Sequence, residues 1–292
     1  MPTKIEKDSY TGTDTTGHEW DGIKELNTPI PSWWVWVFVA SIIFSIVYVI
    51  LYPAIPLTDS ATQGVLGWSQ RDTLATELAV RDEGRADITA SISEADAAMV
   101  EQDHTLRTFA LRGGAAAFAE NCAPCHGAGG GGRPGYPVLA DDDWIWGGTL
   151  SAIQETIRVG IRSGHDDERY AEMPAFADML PQGERIAIAH FVAGFTDTGD
   201  PAKAAAGAVP YQDNCASCHG EDGTAVEDTG APSLNDAIWI YGSDTGSILK
   251  QISNPQHGVM PAWEGRLDPV TIKMLAIYVH NLGGGLQEDA GL

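Results

Sequence analysis

The pentapeptide Cys-x-x-Cys-His occurs twice, as CAPCH at 122–126 and CASCH at 215–219, and these two copies hold every cysteine in the chain. An offset of 93 superimposes them and brings Gly114 and Phe118 onto Gly207 and Tyr211. Widened to 95 by a small loop change, it brings Pro137-x-Leu139 onto Pro232-x-Leu234 and WIWGG (144–148) onto WIYGS (239–243). MPAF at 173–176 then answers MPAW at 260–263, and Ala189-x-Phe191-Val192 answers Ala276-x-Tyr278-Val279. Such a repeat restricts this part of the chain to two copies of one small unit. Each copy, of about 85 residues, is small for a self-sufficient core, so a bound apolar group would supply bulk that its side chains lack.

The pentapeptide names that group. Its two thiols add across the vinyl groups of a haem and the adjacent histidine becomes the proximal iron ligand, which requires this tight spacing. The expected cofactors are two covalent haems c, at Cys122, Cys125 and His126 and at Cys215, Cys218 and His219. A zinc ribbon would bring its Cys-x-x-Cys knuckles within about 15–20 residues of each other, and thioredoxin-like redox chemistry would need a strand-helix context. The loop-rich surroundings, such as HGAGGGGRPGYP, offer neither.

A second axial ligand is expected about half a unit later, where Met173 and Met260 stand 47 and 41 residues beyond His126 and His219. Each precedes a proline, which disfavours helix and keeps the chain extended. Sequence order pairs Met173 with the first haem and Met260 with the second; exchange between adjacent domains is the alternative. His165 and His257 are rival ligands, or loop residues near a haem propionate. Met99, Met179 and Met274 are expected on helices as packing residues. Histidine with methionine raises the reduction potential and suits late respiratory steps. Pro137 and Pro232 stand where a backbone carbonyl can accept the proximal histidine's Nδ1 proton, or are simply loop prolines. Gly114 and Gly207 let the first helix of each unit approach the last, against Phe191 and Tyr278 respectively. Arg158 and Arg162 are either propionate partners or members of a solvated helix face.

Ahead of the repeats, Trp33 to Tyr52 is a run of twenty residues without a charge, enough to cross the roughly 30 Å hydrocarbon core of a bilayer. Aromatic residues mark its ends and Pro31 and Pro53 bracket it. The 32 acidic-leaning residues before it do not suit a cleaved leader, whose charged segment is short and basic. Lys4, Lys7 and Lys24 precede the span and no Lys or Arg follows until Arg71, which places the N-terminus in the cytoplasm. The expected organisation is an N-terminal segment 1–32, a transmembrane helix 33–56, a helical linker region 57–110, and repeats at 111–198 and 203–288, with Asp197 to Lys203 joining them. In the linker region, Leu74, Leu78, Ile88, Ile92 and Met99 are the apolar positions of acidic amphipathic helices, and Ser91-x-x-Glu94 reads as a capping box. The net charge of −23 falls everywhere except the span. It repels nucleic acid and anionic lipid and speeds encounter with basic proteins.

HEWDGIKELNTPIPSWW (18–34) before a single span, GVLGWSQR (64–71), and repeats carrying RSGH…EMPAF and NPQHGVMPAW together resemble the dihaem subunit III of cbb3-type cytochrome c oxidases along essentially the whole chain. The resemblance implies a mainly α fold: one transmembrane helix followed by two tandem class I cytochrome c domains. It also implies a bacterial inner membrane location with periplasmic haems, and a complex with a haem-copper catalytic subunit and a monohaem cytochrome subunit. Electrons would arrive from a donor c-type cytochrome, cross both haems to the monohaem subunit, and end at oxygen in a proton-pumping complex whose catalytic centre lies outside this chain. His18, Glu19, Trp20 and Asp21 match the family's amino-terminal motif and would lie at the cytoplasmic surface against the catalytic subunit. From the residues alone that stretch is a flexible tail. Two other classes compete: a dihaem peroxidase, which would need an open distal position that two Met-Pro loops argue against, and a membrane-tethered shuttle for other reductases, which would not need the 18–34 motif.

Overall fold

The computed structural model describes residues 4–196 and 199–287. It is mainly helical and divides into two compact units, one ending at Gly84 and one beginning at Arg85. Residues 197 and 198 of the expected inter-repeat linker, and the terminal residues of the expected segments 1–32, 111–198 and 203–288, lie outside the described residues.

In the first unit the amino-terminal motif is folded. Strands β1 (Thr15–Trp20) and β2 (Ile23–Leu26) pair antiparallel around Asp21-Gly22, both at positive φ (50° and 84°), the two-residue turn whose twist suits a hairpin. Glu6 N donates to Thr15 Oγ1 at 3.0 Å, and Lys24 Nζ meets Glu6 Oε2 at 2.6 Å, so the residues ahead of β1 close against the hairpin. A flexible tail was the expectation from residues alone; the Asp-Gly turn was the signal for a strand pair.

Helix α1 (Ser32–Leu51) is the one helix long and apolar enough to cross a membrane among the described residues, and none of its side chains is buried. It stops short of the expected 56 because Tyr52 precedes Pro53 and turns extended. The GVLGWSQR segment folds back onto this end: Val65 N and Leu66 N donate to Ile50 O and Leu51 O at 2.9 and 3.1 Å, satisfying carbonyls a helix terminus leaves free. Gly64 permits the approach, since a Cβ there would overlap the Leu51 and Tyr52 backbone. Helix α2 (Gln70–Glu83) follows, capped by Ser69, with Leu74 and Leu78 exposed.

The second unit opens with α3 (Ala86–Glu94) and α4 (Ala97–Gln102). Ile92 and Val100 are fully buried, whereas Met99 is exposed. Ser91 caps nothing: it lies inside α3 with its hydroxyl donated to Asp87 O, so the expected capping box is absent. Both helices fasten to the far end of the chain. Lys273 Nζ donates to Ile92 O and Ser93 O at 2.8 and 3.1 Å and also to Ala95 O, covering the end of α3. Glu101 accepts from His280 Nδ1 and Asn281 Nδ2.

Helices α5 (His104–Asn121), α6 (Ala123–His126), α7 (Leu150–Val159) and α8 (Gln182–Gly194) belong to the first repeat; α9 (Pro201–Asn214), α10 (Ala216–His219), α11 (Thr245–Ser253) and α12 (Pro269–His280) belong to the second. A 3-10 turn, Ala128–Gly130, follows α6. Their packing departs from sequence order. One core joins Phe118 and Ala110 of α5 and Ile153 and Ile157 of α7 to Leu275 and Ala276 of α12. The other joins Ile188 and Val192 of α8 to Tyr211 of α9 and Ile252 of α11. The repeats are thus not two self-contained packing units: the closing helices are exchanged, and Gly114 meets Tyr278 while Gly207 meets Phe191, the reverse of the expected pairs.

The physical reason is loop length. Only residues 195–200 separate α8 from α9, and helices joined by so short a connection become neighbours. The second core is consequently one continuous segment, from Met173 through Ser253, inserted into the first, whose parts lie on either side of it. Where the chain passes between the cores it pairs with itself: Ile161 and Met260 exchange backbone hydrogen bonds of 2.9 and 3.0 Å, and Phe176 N donates to Ile252 O at 3.0 Å.

Acidic loops of the two repeats also meet. Asp143 is pushed up to about 6 by burial, then by the charges of Asp236, Asp141 and Asp142. A carboxyl whose folded value exceeds its unfolded one opposes folding when ionised, and the penalty disappears as pH falls through about 6 toward the unfolded value near 4. Asp143→Asn is therefore expected to raise the melting temperature at pH 7 and to flatten its rise between pH 6 and 4, measured by thermal unfolding across that range.

Candidate haem-attachment sites

At the end of α5 the chain tightens into α6, with Cys125 N and His126 N both donating to Cys122 O at 3.0 and 2.9 Å. That turn sets the Cys122 thiol at the N-cap of α6 and the Cys125 thiol and His126 imidazole one turn later. Gly127, at φ 78°, reverses the chain so that Gly132 N donates to His126 O at 2.7 Å. The second site repeats the construction: Cys218 N and His219 N donate to Cys215 O at 3.1 and 3.0 Å, and Gly220 stands at φ 71°. All four thiols are free; Cys125 and Cys218 are exposed, while burial pushes Cys122 and Cys215 up to about 11.

His126 Nδ1 stands 3.1 Å from Pro137 O and His219 Nδ1 3.0 Å from Pro232 O. A carbonyl only accepts, so each Nδ1 carries the proton and each Nε2 keeps its lone pair. Burial holds both histidines below their ordinary value, and hence neutral. A neutral imidazole fixed by a backbone carbonyl, beside two thiols and partly exposed apolar side chains such as Leu139 and Trp144 or Leu234 and Trp239, fits a covalent haem c. Two Cys-x-x-Cys-His motifs on such frames are haem c attachment sites. The alternatives lose their footing: among the described residues no three His, Cys, Asp or Glu side chains converge as zinc would need, and both pentapeptides lie on helical turns outside any sheet.

The methionines follow the exchanged helices. Met260 packs in the core that includes Cys122 and Ala123, and Met173 in the core that includes Cys215 and Ala216. The rival histidines are otherwise engaged. His165 Nε2 is 2.8 Å from Glu264 Oε2 and its Nδ1 accepts from Asp167 N, whereas His257 Nε2 accepts from Met173 N at 3.1 Å. Of the remaining methionines, Met274 lies on α12 against Gly113, but Met179 sits exposed in a turn rather than on a helix. Arg158 is bound by Glu155, Glu264 and Asp167, and Arg162 donates through Nε and Nη1 to Gly258 O and Ala171 O.

Arg133 was not foreseen. Its Nε donates to Cys125 O at 2.9 Å and ties the proximal loop to the attachment helix, a task that Thr229 Oγ1 performs on Cys218 O at 3.3 Å. A lone cation in a glycine-rich loop was the only available signal. Tyr211 adds a further tie, donating from its hydroxyl to Gly220 O at 2.7 Å.

Comparison with known proteins covers both parts of the chain. Residues 12–59 match the family described as the N-terminal domain of cytochrome oxidase-cbb3, FixP, and residues 109–192 and 202–279 match cytochrome c oxidase, cbb3-type, subunit III. The chain is 48% identical over 280 residues to the cbb3-type cytochrome c oxidase subunit FixPc of Rhizobium leguminosarum bv. viciae, covering 95% of this chain and 98% of that protein. It is 49% identical over 291 residues to the FixP subunit of Bradyrhizobium diazoefficiens, across 98% of this chain and all of that one. The CcoP subunit of Cereibacter sphaeroides is 44% identical over 289 residues, with 98% and 100% covered.

Proposed function

Because the chain belongs to the FixP/CcoP family of cbb3-type cytochrome c oxidase subunit III, and so is an electron-transfer subunit of a terminal oxidase, we propose that each haem draws its histidine from one repeat and its methionine from the other. His126 and Met260 would hold the haem at Cys122 and Cys125; His219 and Met173 would hold the haem at Cys215 and Cys218. The observation that carries this reading is the exchange of α8 and α12, which seats each methionine in the core of the other repeat's attachment helix.

Haem supplies reversible one-electron iron chemistry, and the chain's own residues set its conditions. Pro137 O and Pro232 O hold the imidazole protons on Nδ1, and the partly buried Leu139, Trp144, Leu234 and Trp239 limit water beside the attachment helices. The methionine thioethers favour the reduced state, which suits a carrier placed between a donor cytochrome and an oxidase. Oxygen reduction belongs to the complex; this subunit is not its catalytic centre.

The partners follow from the family: the haem-copper catalytic subunit and the monohaem cytochrome subunit receive this chain, and a c-type cytochrome, attracted by the acidic surface, donates to it. With Lys4, Lys7 and Lys24 ahead of α1, the hairpin lies on the cytoplasmic side of the bacterial inner membrane and the haem units in the periplasm. Purification of the tagged chain from its native membrane in mild detergent tests the assembly. Recovery with b-type haem, copper and oxygen uptake driven by reduced cytochrome c is expected. Recovery alone, with no partner crosslinked in intact membranes, would leave a tethered shuttle and overturn the oxidase assembly.

A further inference from the structure

Two aromatic side chains tie each proximal loop to the opposite repeat. Gly230 lies two residues before Pro232, at φ 69°, and the six-membered ring of Trp146 from the first repeat covers it so closely that a Cβ would overlap the ring. The Ala171 methyl closes the same spot. At the other site Gly135 lies two residues before Pro137, at φ 86°; its N–H donates to Ile240 O at 2.8 Å, and the Tyr241 ring lies in van der Waals contact where a Cβ would stand. The offset of 95 that relates Gly135 to Gly230 also relates Trp146 to Tyr241. The contacts are therefore reciprocal, one repeat's ring on the other's loop. Each ring is further placed by the segment that crosses between the cores: the Arg169 guanidinium stacks 5.6 Å from the Trp146 ring centre, and the Tyr241 hydroxyl approaches Gly258.

We propose that Trp146 and Tyr241 are positioning residues that act across the repeats: Trp146 holds the loop whose Pro232 carbonyl accepts the His219 proton, and Tyr241 holds the loop whose Pro137 carbonyl accepts the His126 proton. The hydrogen bond on Nδ1 gives the imidazole anionic character and favours ferric iron. Slackening a loop lengthens that bond and raises the potential of one haem. Each haem's potential then depends on a residue of the other repeat that touches neither its iron nor its thioethers.

This proposal rests on histidine ligation at each pentapeptide and not on which methionine serves which haem. The test is redox titration of the full chain in its complex, with the haems told apart by a single-thioether tag. Cys125→Ala or Cys218→Ala leaves one vinyl group unsaturated and red-shifts that haem's α band, whatever its distal ligand; both thiols are exposed. Trp146→Ala is expected to raise the ferrous-to-ferric ratio of the His219 haem at least about threefold at its original midpoint, with the His126 haem unmoved. Tyr241→Ala should do the converse, and Trp146→Phe, which keeps a ring over Gly230, should stay near the parent value. The proposal is overturned if the affected haem is the one in the ring's own repeat, if both or neither move, if the potential falls, or if Trp146→Phe matches Trp146→Ala. Loss of low-spin spectra from both haems in the parent chain would instead overturn the ligation reading beneath it.

Discussion

Met260→His lowers the potential of the haem attached at Cys122 and Cys125 by on the order of 0.2 V, while the haem at Cys215 and Cys218 keeps its own; Met173→His does the reverse. Imidazole in place of a thioether donates more strongly to ferric iron and leaves the haem low-spin, so the change is read as a displaced midpoint and not as lost cofactor. The prediction follows from packing, since Met260 shares a core with Cys122 and Met173 with Cys215. A single-thioether tag at Cys125 or Cys218 identifies the responding haem. Movement of the tagged haem with the methionine of its own repeat would restore the pairing that sequence order suggests and refute the exchange.

Substitution at the helix crossings has the next largest effect. Gly114→Ala drives a methyl into the Met274 carbonyl and the Tyr278 Cβ, and Gly207→Ala does the same to the Ala187 carbonyl and Phe191. Backbone cannot rotate aside as a side chain can, so each change should cost about 3 kcal/mol, at the upper end of ordinary overpacking, and lower Tm by roughly 6–12 °C. A double-mutant cycle separates the two topologies. Gly114→Ala should couple to Tyr278→Gly, which removes the opposing Cβ, by about 1 kcal/mol or more and add simply to Phe191→Gly; Gly207→Ala should show the opposite partners. Coupling between Gly114 and Phe191 would mean that the helices close in sequence order after all.

The proximal sites were legible before any coordinate. Cys-x-x-Cys-His is a local instruction: the thiols and the imidazole must share one helical turn, and the glycine after each histidine marks where the chain reverses. Pro137 and Pro232 stand, as expected, where a backbone carbonyl can accept the imidazole proton, and their oxygens lie 3.1 and 3.0 Å from Nδ1. The apolar helix was equally plain, since an uncharged run of twenty residues is a local property of the sequence, and it forms the one helix among the described residues long and apolar enough to cross a membrane. The amino-terminal hairpin was missed although Asp21-Gly22 is a hairpin turn, because the strands beside it carry weak alternation.

Arg158 and Arg162 show a different limit. Their charge suits propionate partners and a solvated helix face alike; Arg158 pairs with Glu155 one turn away and with Asp167 and Glu264, and Arg162 donates to Ala171 O and Gly258 O. Helical spacing anticipates the Glu155–Arg158 pair, but not the contacts with Glu264 and Gly258 from the second repeat.

By itself, then, the sequence determined the attachment of two haems, the turns that carry their histidines, the one helix long and apolar enough to span a membrane and the family to which the chain belongs, because each rests on residues close together in the chain or on overall likeness. Only the tertiary structure decided which closing helix, and with it which methionine, stands against which attachment helix. The two repeats present nearly the same faces, Gly114 with Phe118 and Gly207 with Tyr211, so local complementarity does not choose between them. The six-residue connection from α8 to α9 does, by making those two helices neighbours.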